Sequence, residues 1–206
     1  MVRSTNLSKP LDATEPAWEI ARLFPAQGMW SEQEYLVLTR DTNHLVEFSH
    51  GYVEVLPMPT RRHQKIVFFL SRILHNFLTD HALGTVLFAP LRVRLWEGKF
   101  RESDLVVMLA EHRDREHEEY FEGADLVIEV VSDDNPDRDR VIKRQEYAQA
   151  GIPEYWIVEP QTETITVLRL NADRYVEHGR FARGAVATSA VLEGLLVDVA
   201  AVFDEY

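Results

Sequence analysis

The sequence predicts a mixed α/β fold in which helices flank a central sheet. Three features carry this expectation. Leu105–Leu109 and Leu126–Val131 are mostly apolar runs of strand length, the signature of strands covered on both faces. A long amphipathic segment from about Arg61 to Thr79 repeats its apolar residues at three-and-four spacing. Short alternating segments flanking turn residues read as added hairpins.

The elements follow in order. Residues 1–30, with Pro10, Pro16 and Pro25, read as an N-terminal arm without regular pattern, and 31–206 as one domain. Ser31-Glu32-Gln33-Glu34 is a capping box that opens a helix through Tyr35, Leu36 and Leu38. His44–Phe48 and Tyr52–Leu56 form a hairpin around Ser49-His50-Gly51, stopped by Pro57-Met58-Pro59. In the long helix Ile66, Leu70, Ile73 and Phe77 make the buried stripe, with an end expected near Gly84. Val86–Leu95 reads as one strand with an irregularity at Pro90, and Glu111–Glu119 as a charged surface excursion. A helix from about Asp139 to Ala150 is closed by Gly151, followed by a strand at Tyr155–Glu159. Thr164–Leu170 and Arg174–His178 pair around Asn171-Ala172-Asp173, and the apolar segment Val191–Phe203 closes the chain.

Composition narrows the function classes. The 206 residues, 46% hydrophobic and 27% charged, suit a globular protein with one substantial core. Without cysteine there is neither a disulfide nor a thiolate metal site. Residues 1–30 lack the apolar run of a signal peptide and no stretch is long enough to span a bilayer, so a cytoplasmic location without membrane contact is expected. The net charge of −12, from 34 acidic and 22 basic residues, argues against a broad nucleic-acid-binding surface. Two local basic sets remain, Arg61-Arg62-His63-Gln64-Lys65 and Arg92, Arg94, Lys99 and Arg101, each either a groove or a solvated face.

Glu129 is the informative residue. Inside Leu126-Val127-Ile128-Glu129-Val130-Val131 a carboxylate would lose several kcal/mol to desolvation unless paired, protonated or metal-bound. It is a ligand, half of a buried salt bridge, or a residue on a partly exposed face. Asp104 opens the preceding apolar run, where an Asp is commonly only a turn former. Two carboxylates on adjacent central strands, however, can converge on one hard cation with oxygen ligands, such as Mg²⁺. Lys143, with Tyr147 one turn later on the same helix face, either answers these acids or is solvated. No histidine pair has zinc-helix spacing, and no phosphate loop or nucleophile elbow is present.

The order of these motifs resembles the bacterial Uma-type family of restriction-endonuclease-like proteins, within the PD-(D/E)XK nuclease superfamily. The resemblance runs from about Ser31 to Phe203. It is carried by Ser31–Leu36, Val46-Glu47-Phe48-Ser49-His50-Gly51, His63, Ser103–Val107, Asp125–Ser132, Lys143–Tyr147, Ala150-Gly151, Glu154–Pro160 and Leu192–Asp198. It implies a restriction-endonuclease-like fold, Asp104 and Glu129 as ligands of Mg²⁺ (or Mn²⁺ in its place), and the Val130 carbonyl as a further ligand. It also implies Lys143 as catalytic lysine, Glu47 as an additional acid, and His63 and Tyr147 in the pocket or in packing. Two positions depart from the pattern: Ser103 stands where the superfamily often has proline, and Val131 where its short motif has lysine.

The function this favours is a metal-dependent endonuclease hydrolysing phosphodiester bonds of nucleic acid, with DNA ahead of RNA as substrate. The alternative is a non-catalytic nuclease-fold interaction or nucleic-acid-binding protein that keeps the acidic site, and a hydrolase of small phosphorylated compounds comes third. Cutting two strands would favour a homodimer with two sites.

Overall fold

The computed structural model describes residues 24–204 apart from positions 41 and 43. The arm expected over residues 1–30 thus lies mostly outside the described residues. Its last part is fastened to the first hairpin, where the Gly28 and Trp30 amides both donate to the Gly51 carbonyl, at 2.7 and 3.2 Å. In the capping box, the Ser31 hydroxyl accepts from the Glu34 amide at 3.2 Å, and Glu34 takes the Ser31 amide at 2.8 Å. Helix α1 (Glu32–Arg40) follows, and its Tyr35 packs against Phe48 and Phe100.

Two sheets make the frame. The smaller, of five strands, contains β1 (Val46–Ser49), β2 (Tyr52–Val55), β4 (Arg92–Trp96), β5 (Lys99–Glu102) and β7 (Tyr120–Glu122), in the order β2-β1-β5-β4-β7. The larger, of six strands, contains β3 (Gly84–Phe88), β6 (Leu105–Leu109), β8 (Leu126–Val130), β9 (Glu154–Glu159), β10 (Thr164–Asn171) and β11 (Arg174–Ala182), in the order β11-β10-β9-β8-β6-β3. Only β8–β9 and β4–β7 are parallel, so both sheets are mixed. A third small sheet pairs β12 (Val186–Thr188) with β13 (Leu196–Asp198), and α4 (Val199–Asp204) closes the described chain.

The expected central strands are central: β8 is buried along its whole length and β6 nearly so. Their alternation divides the core. Leu105, Val107, Leu126, Ile128 and Val130 meet helix α2 (Arg61–Asp80) through Ile66, Leu70, Leu74 and Leu78. Val106, Met108, Val127 and Val131, with Tyr155 of the neighbouring β9, meet the opposite layer through Tyr147.

Several expectations are corrected in detail. Val86–Leu95 is two strands in different sheets, because Pro90 has no amide hydrogen with which to continue a ladder. Strands β5, β7 and β12 carry no clean alternation in the sequence and were not expected. Helix α2 ends at Asp80 with His81 as its cap, while Gly84 opens β3, where a Cβ would lie 2.2 Å from the Met108 carbonyl oxygen. The segment expected as one α-helix from Asp139 is a π-helical turn, Arg138–Lys143, running into α3 (Arg144–Gln149). Among the described residues no helix is long and apolar enough to cross a membrane.

Leu74 is 1% exposed against the sheet, whereas Phe68, on the same helix, is 62% exposed. Leu74→Ala should therefore cost about 2–5 kcal/mol through lost contacts and a residual cavity. Phe68→Ala should stay within about 0.5 kcal/mol of wild type, as exposed substitutions do. Urea denaturation of the two variants separates these outcomes.

Candidate active site

The chain leaves β5 in one sheet and enters β6 in the other through Ser103 and Asp104. Strands β6 and β8 pair Leu105 with Ile128. Extending that register by one residue sets Asp104 opposite Glu129, and residues directly opposed across an antiparallel pair project to the same face. Strand order, not sequence proximity, therefore brings the two acids together.

Glu129 is 2% exposed, and two donors converge on its Oε1: the Lys143 Nζ at 3.0 Å and the Tyr147 hydroxyl at 2.5 Å. The Tyr147 proton goes to Glu129, so the Ser103 hydroxyl, 2.8 Å away, donates to the Tyr147 oxygen. Burial pushes the Glu129 carboxyl well above the ordinary carboxylate range, with Asp104 and Asp139 adding to the push and Lys143 opposing it. Burial would lower the Lys143 ammonium, but Glu129, Asp139 and Glu47 outweigh it and keep the group charged.

Both oxygens of Asp104 are anchored. The His63 Nε2 donates to Oδ1 at 2.8 Å, and the Val130 amide donates to Oδ2 at 2.7 Å. Burial alone would lower the His63 imidazole, but the hydrogen bond and charge of Asp104, with Glu129 and Asp139 behind, hold it above its usual value. His63 can reach Asp104 because the Thr60 side chain caps α2 by accepting from the His63 amide, fixing the first turn against the strand end.

The predicted site residues are thus brought together. Asp104, Glu129, Lys143, His63 and Val130 all line one cavity of about 730 Å³, and Glu47 lies behind it with Oε1 at 3.8 Å from Lys143. Tyr147 stands behind Glu129 in the core. The sequence reading missed Asp139, whose Oδ1 is 3.2 Å from Lys143 Nζ; its four-residue spacing from Lys143 was the available signal. It also missed the support beneath. Arg101 pairs with Glu47 and, at 2.7 Å, with Glu146, which in turn takes Lys99 at 2.6 Å. Three of the basic set Arg92, Arg94, Lys99 and Arg101 are therefore paired with acids inside the protein, Arg94 with Glu32 among them, while Arg92 donates to the Thr39 hydroxyl.

The donor set fits a hard divalent cation by charge and chemistry. One ammonium faces Glu129 and Asp139 together, and Asp104 is answered only by an imidazole and an amide, so the cluster is short of positive charge. Among the described residues no three His, Asp or Glu side chains close around one ligand position. Two carboxylates suffice for Mg²⁺, which usually keeps several waters.

The family model Uma2, described as putative restriction endonuclease, matches residues 32–200. Among solved structures, the chain resembles the crystal structure of a putative nuclease belonging to DUF820 from Anabaena variabilis ATCC 29413. The two share 18% identity at a TM-score of 0.70, over 88% of this chain and 99% of that one. At this identity the likeness speaks for the fold, which is the mixed α/β, restriction-endonuclease-like arrangement expected from the sequence. No curated protein matches the chain.

Removing Lys143 would strand several buried carboxylates, whereas Glu129→Gln leaves Lys143 two acidic neighbours and keeps an acceptor for Tyr147. Lys143→Met should cost about 3–5 kcal/mol, and Glu129→Gln far less, by chemical denaturation. A loss in Glu129→Gln as large as that in Lys143→Met would assign Glu129 to a structural ion pair.

A second outcome concerns pH. Burial, with Glu47 nearby, pushes Glu102 from the ordinary 4.5 up to about 8, against the pull of the Val46 amide. Ionising Glu102 thus costs the folded state, and this contribution to wild-type stability is lost as pH climbs from about 4.5 to 8. Glu102→Gln cannot ionise, so its stability relative to wild type should be greater at pH 9 than at pH 5.

Proposed function

The chain belongs to the Uma2 family of putative restriction endonucleases, and from that premise we propose that it is a divalent-metal-dependent nuclease hydrolysing phosphodiester bonds of nucleic acid. The observation that supports this most is the convergence of Asp104, Glu129 and Lys143 on one cavity wide enough to admit a ligand. Mg²⁺, or Mn²⁺ in its place, would be held by Asp104 and Glu129, with the Val130 carbonyl as a further donor. When bound, the ion would supply Lewis-acid polarisation and an acidified water.

The chain's own residues prepare that chemistry. Lys143 favours the ionised form of Glu129, against the burial that favours the neutral acid. Tyr147 fixes the Oε1 atom of Glu129, and Ser103 fixes Tyr147. His63 and the Val130 amide set both oxygens of Asp104, so neither acid has to reorient when a ligand arrives. Lys143 also lines the cavity, where its ammonium would face negative charge building on a phosphate. Glu47 acts from behind, through its contacts with Lys143 and Arg101.

One observation favours a second reading, a nuclease-fold interaction protein without chemistry. The site acids already have cationic or hydrogen-bonding partners, so the cluster is tolerable with no ion bound.

Cleavage of supercoiled plasmid, single-stranded DNA and RNA with Mg²⁺ or Mn²⁺ separates the two. Wild type should cut at least one substrate and lose that activity in chelator. Asp104→Asn, Glu129→Gln and Lys143→Ala should each fall by about 10²-fold or more. Equal activity in all four proteins would mean a contaminant. No cleavage by folded wild type on any substrate would leave the interaction protein standing.

A further inference from the structure

The floor of the cavity is acidic, but its mouth is apolar. Along α2, His63, Gln64, Val67, Phe68 and Ser71 line it from one face of the helix, and Arg62 lines it as well. That face leads from the Asp104 partner His63 to Phe68, about 7–8 Å further along the axis at the usual helical rise. Phe88, at the end of the edge strand β3, and Met58, between two prolines, line the same opening. These side chains are 62%, 58% and 73% exposed for Phe68, Phe88 and Met58. Clustered exposed apolar groups around a ligand opening are uncommon unless something covers them.

Charge says what that something is. The cationic side chains lining the cavity are Arg62, Arg138 and Lys143. Arg62 faces Glu163 at 3.5 Å, Arg138 is paired with Glu54, and Lys143 is buried among acids at the floor. Asp133 and Asp134 stand on the same rim. A duplex laid across this opening would bring phosphates of two strands to a rim with little free positive charge, and duplex affinity depends on neutralising them. Flat aromatic faces serve a different ligand. Unpaired bases stack on them with little regard to sequence, and each stacked base is worth roughly tenfold or more in affinity.

We propose that the cavity mouth takes an unpaired nucleobase on Phe68 and Phe88, so that the substrate is single-stranded nucleic acid. The base lies on the apolar rim while its backbone enters toward Asp104 and Glu129. This rests on the nuclease reading for the phosphate at the floor, but the stacking is measurable without any cleavage.

The test is fluorescence anisotropy in chelator with the full chain, using a fluorescein-labelled 15-nucleotide oligothymidylate and a blunt duplex of equal length. The single strand should bind at least tenfold more tightly than the duplex. Phe68→Ala/Phe88→Ala should weaken single-strand binding tenfold or more, and Phe68→Trp, which keeps an aromatic face, should retain it. Thermal melting checks that each variant is folded. Duplex binding equal to or tighter than single-strand binding overturns the proposal, as does no binding to either. So does wild-type affinity in the double variant. If sedimentation shows self-association in wild type that the double variant loses, with oligothymidylate binding unchanged, the patch is a contact between copies and the proposal falls. A protein that cuts blunt duplex regardless of both phenylalanines keeps the nuclease reading and loses this inference. One that stacks the oligonucleotide through them but cuts nothing keeps the inference and loses the hydrolase.

Discussion

One buried ammonium among carboxylates is the constraint on which the site depends. Lys143 is 4% exposed, and Glu47, Glu129 and Asp139 lie within 3.8 Å of its nitrogen. Each of these charges alone would cost several kcal/mol to desolvate, so the acids depend on the one ammonium they surround. The burden is spread further, because Arg101 shares Glu47 with Lys143, and Glu146 joins Arg101 to Lys99. The result is a continuous ionic layer beneath the cavity, and it ties the two sheets together where a hydrophobic contact would otherwise be expected.

That layer explains the surrounding geometry. Val131, where the short motif has lysine, borders the cavity and packs in the core with Tyr147. The cation comes from the next helix, and the backbone adjusts to deliver it. Asp139 and Lys143 are both buried within the π-helical turn Arg138–Lys143, whose wider winding differs from the regular α3 that follows. Such local departures from α geometry occur often at functional sites, where a side chain's aim matters more than the best hydrogen-bond ladder. Tyr147, one turn on, stays regular and supplies the hydroxyl that fixes Glu129.

Much of this could be read in the sequence, for identifiable reasons. Strands β6 and β8 announced themselves because strands buried on both faces must be apolar throughout, and Glu129 stood out against that background. Helix α2 was legible from its stripe, and α1 from its capping box. Strand β5 was not legible, because Lys99-Phe100-Arg101-Glu102 looks like an exposed polar stretch and its burial depends on partners far along the chain. The same fact left the basic set at Arg92–Arg101 open between a groove and a solvated face, when most of it is paired with acids inside the protein. Charge in a sequence does not say whether it is spent inside the protein or offered to a ligand. Pro90 marked an irregularity correctly, but only the sheet order shows that the chain changes sheets there.

The internal use of cations bears on what this acidic protein can hold. A net charge of −12 already disfavours a polyanion, and Lys99, Arg101 and Lys143 are buried in ion pairs, so they offer nothing at the surface. Binding to the backbone alone would therefore be weak and steeply salt-dependent. On the proposed reading, affinity for a nucleic acid comes instead from the apolar mouth that Phe68 and Phe88 line. An acidic floor repels phosphate until its charge is balanced, while an aromatic rim attracts bases in either condition. On the proposed reading, holding the ligand and holding the charge that would react with it fall to different parts of one cavity. That separation allows a protein short of surface cations to keep a dense acidic site without repelling the ligand the site would act on.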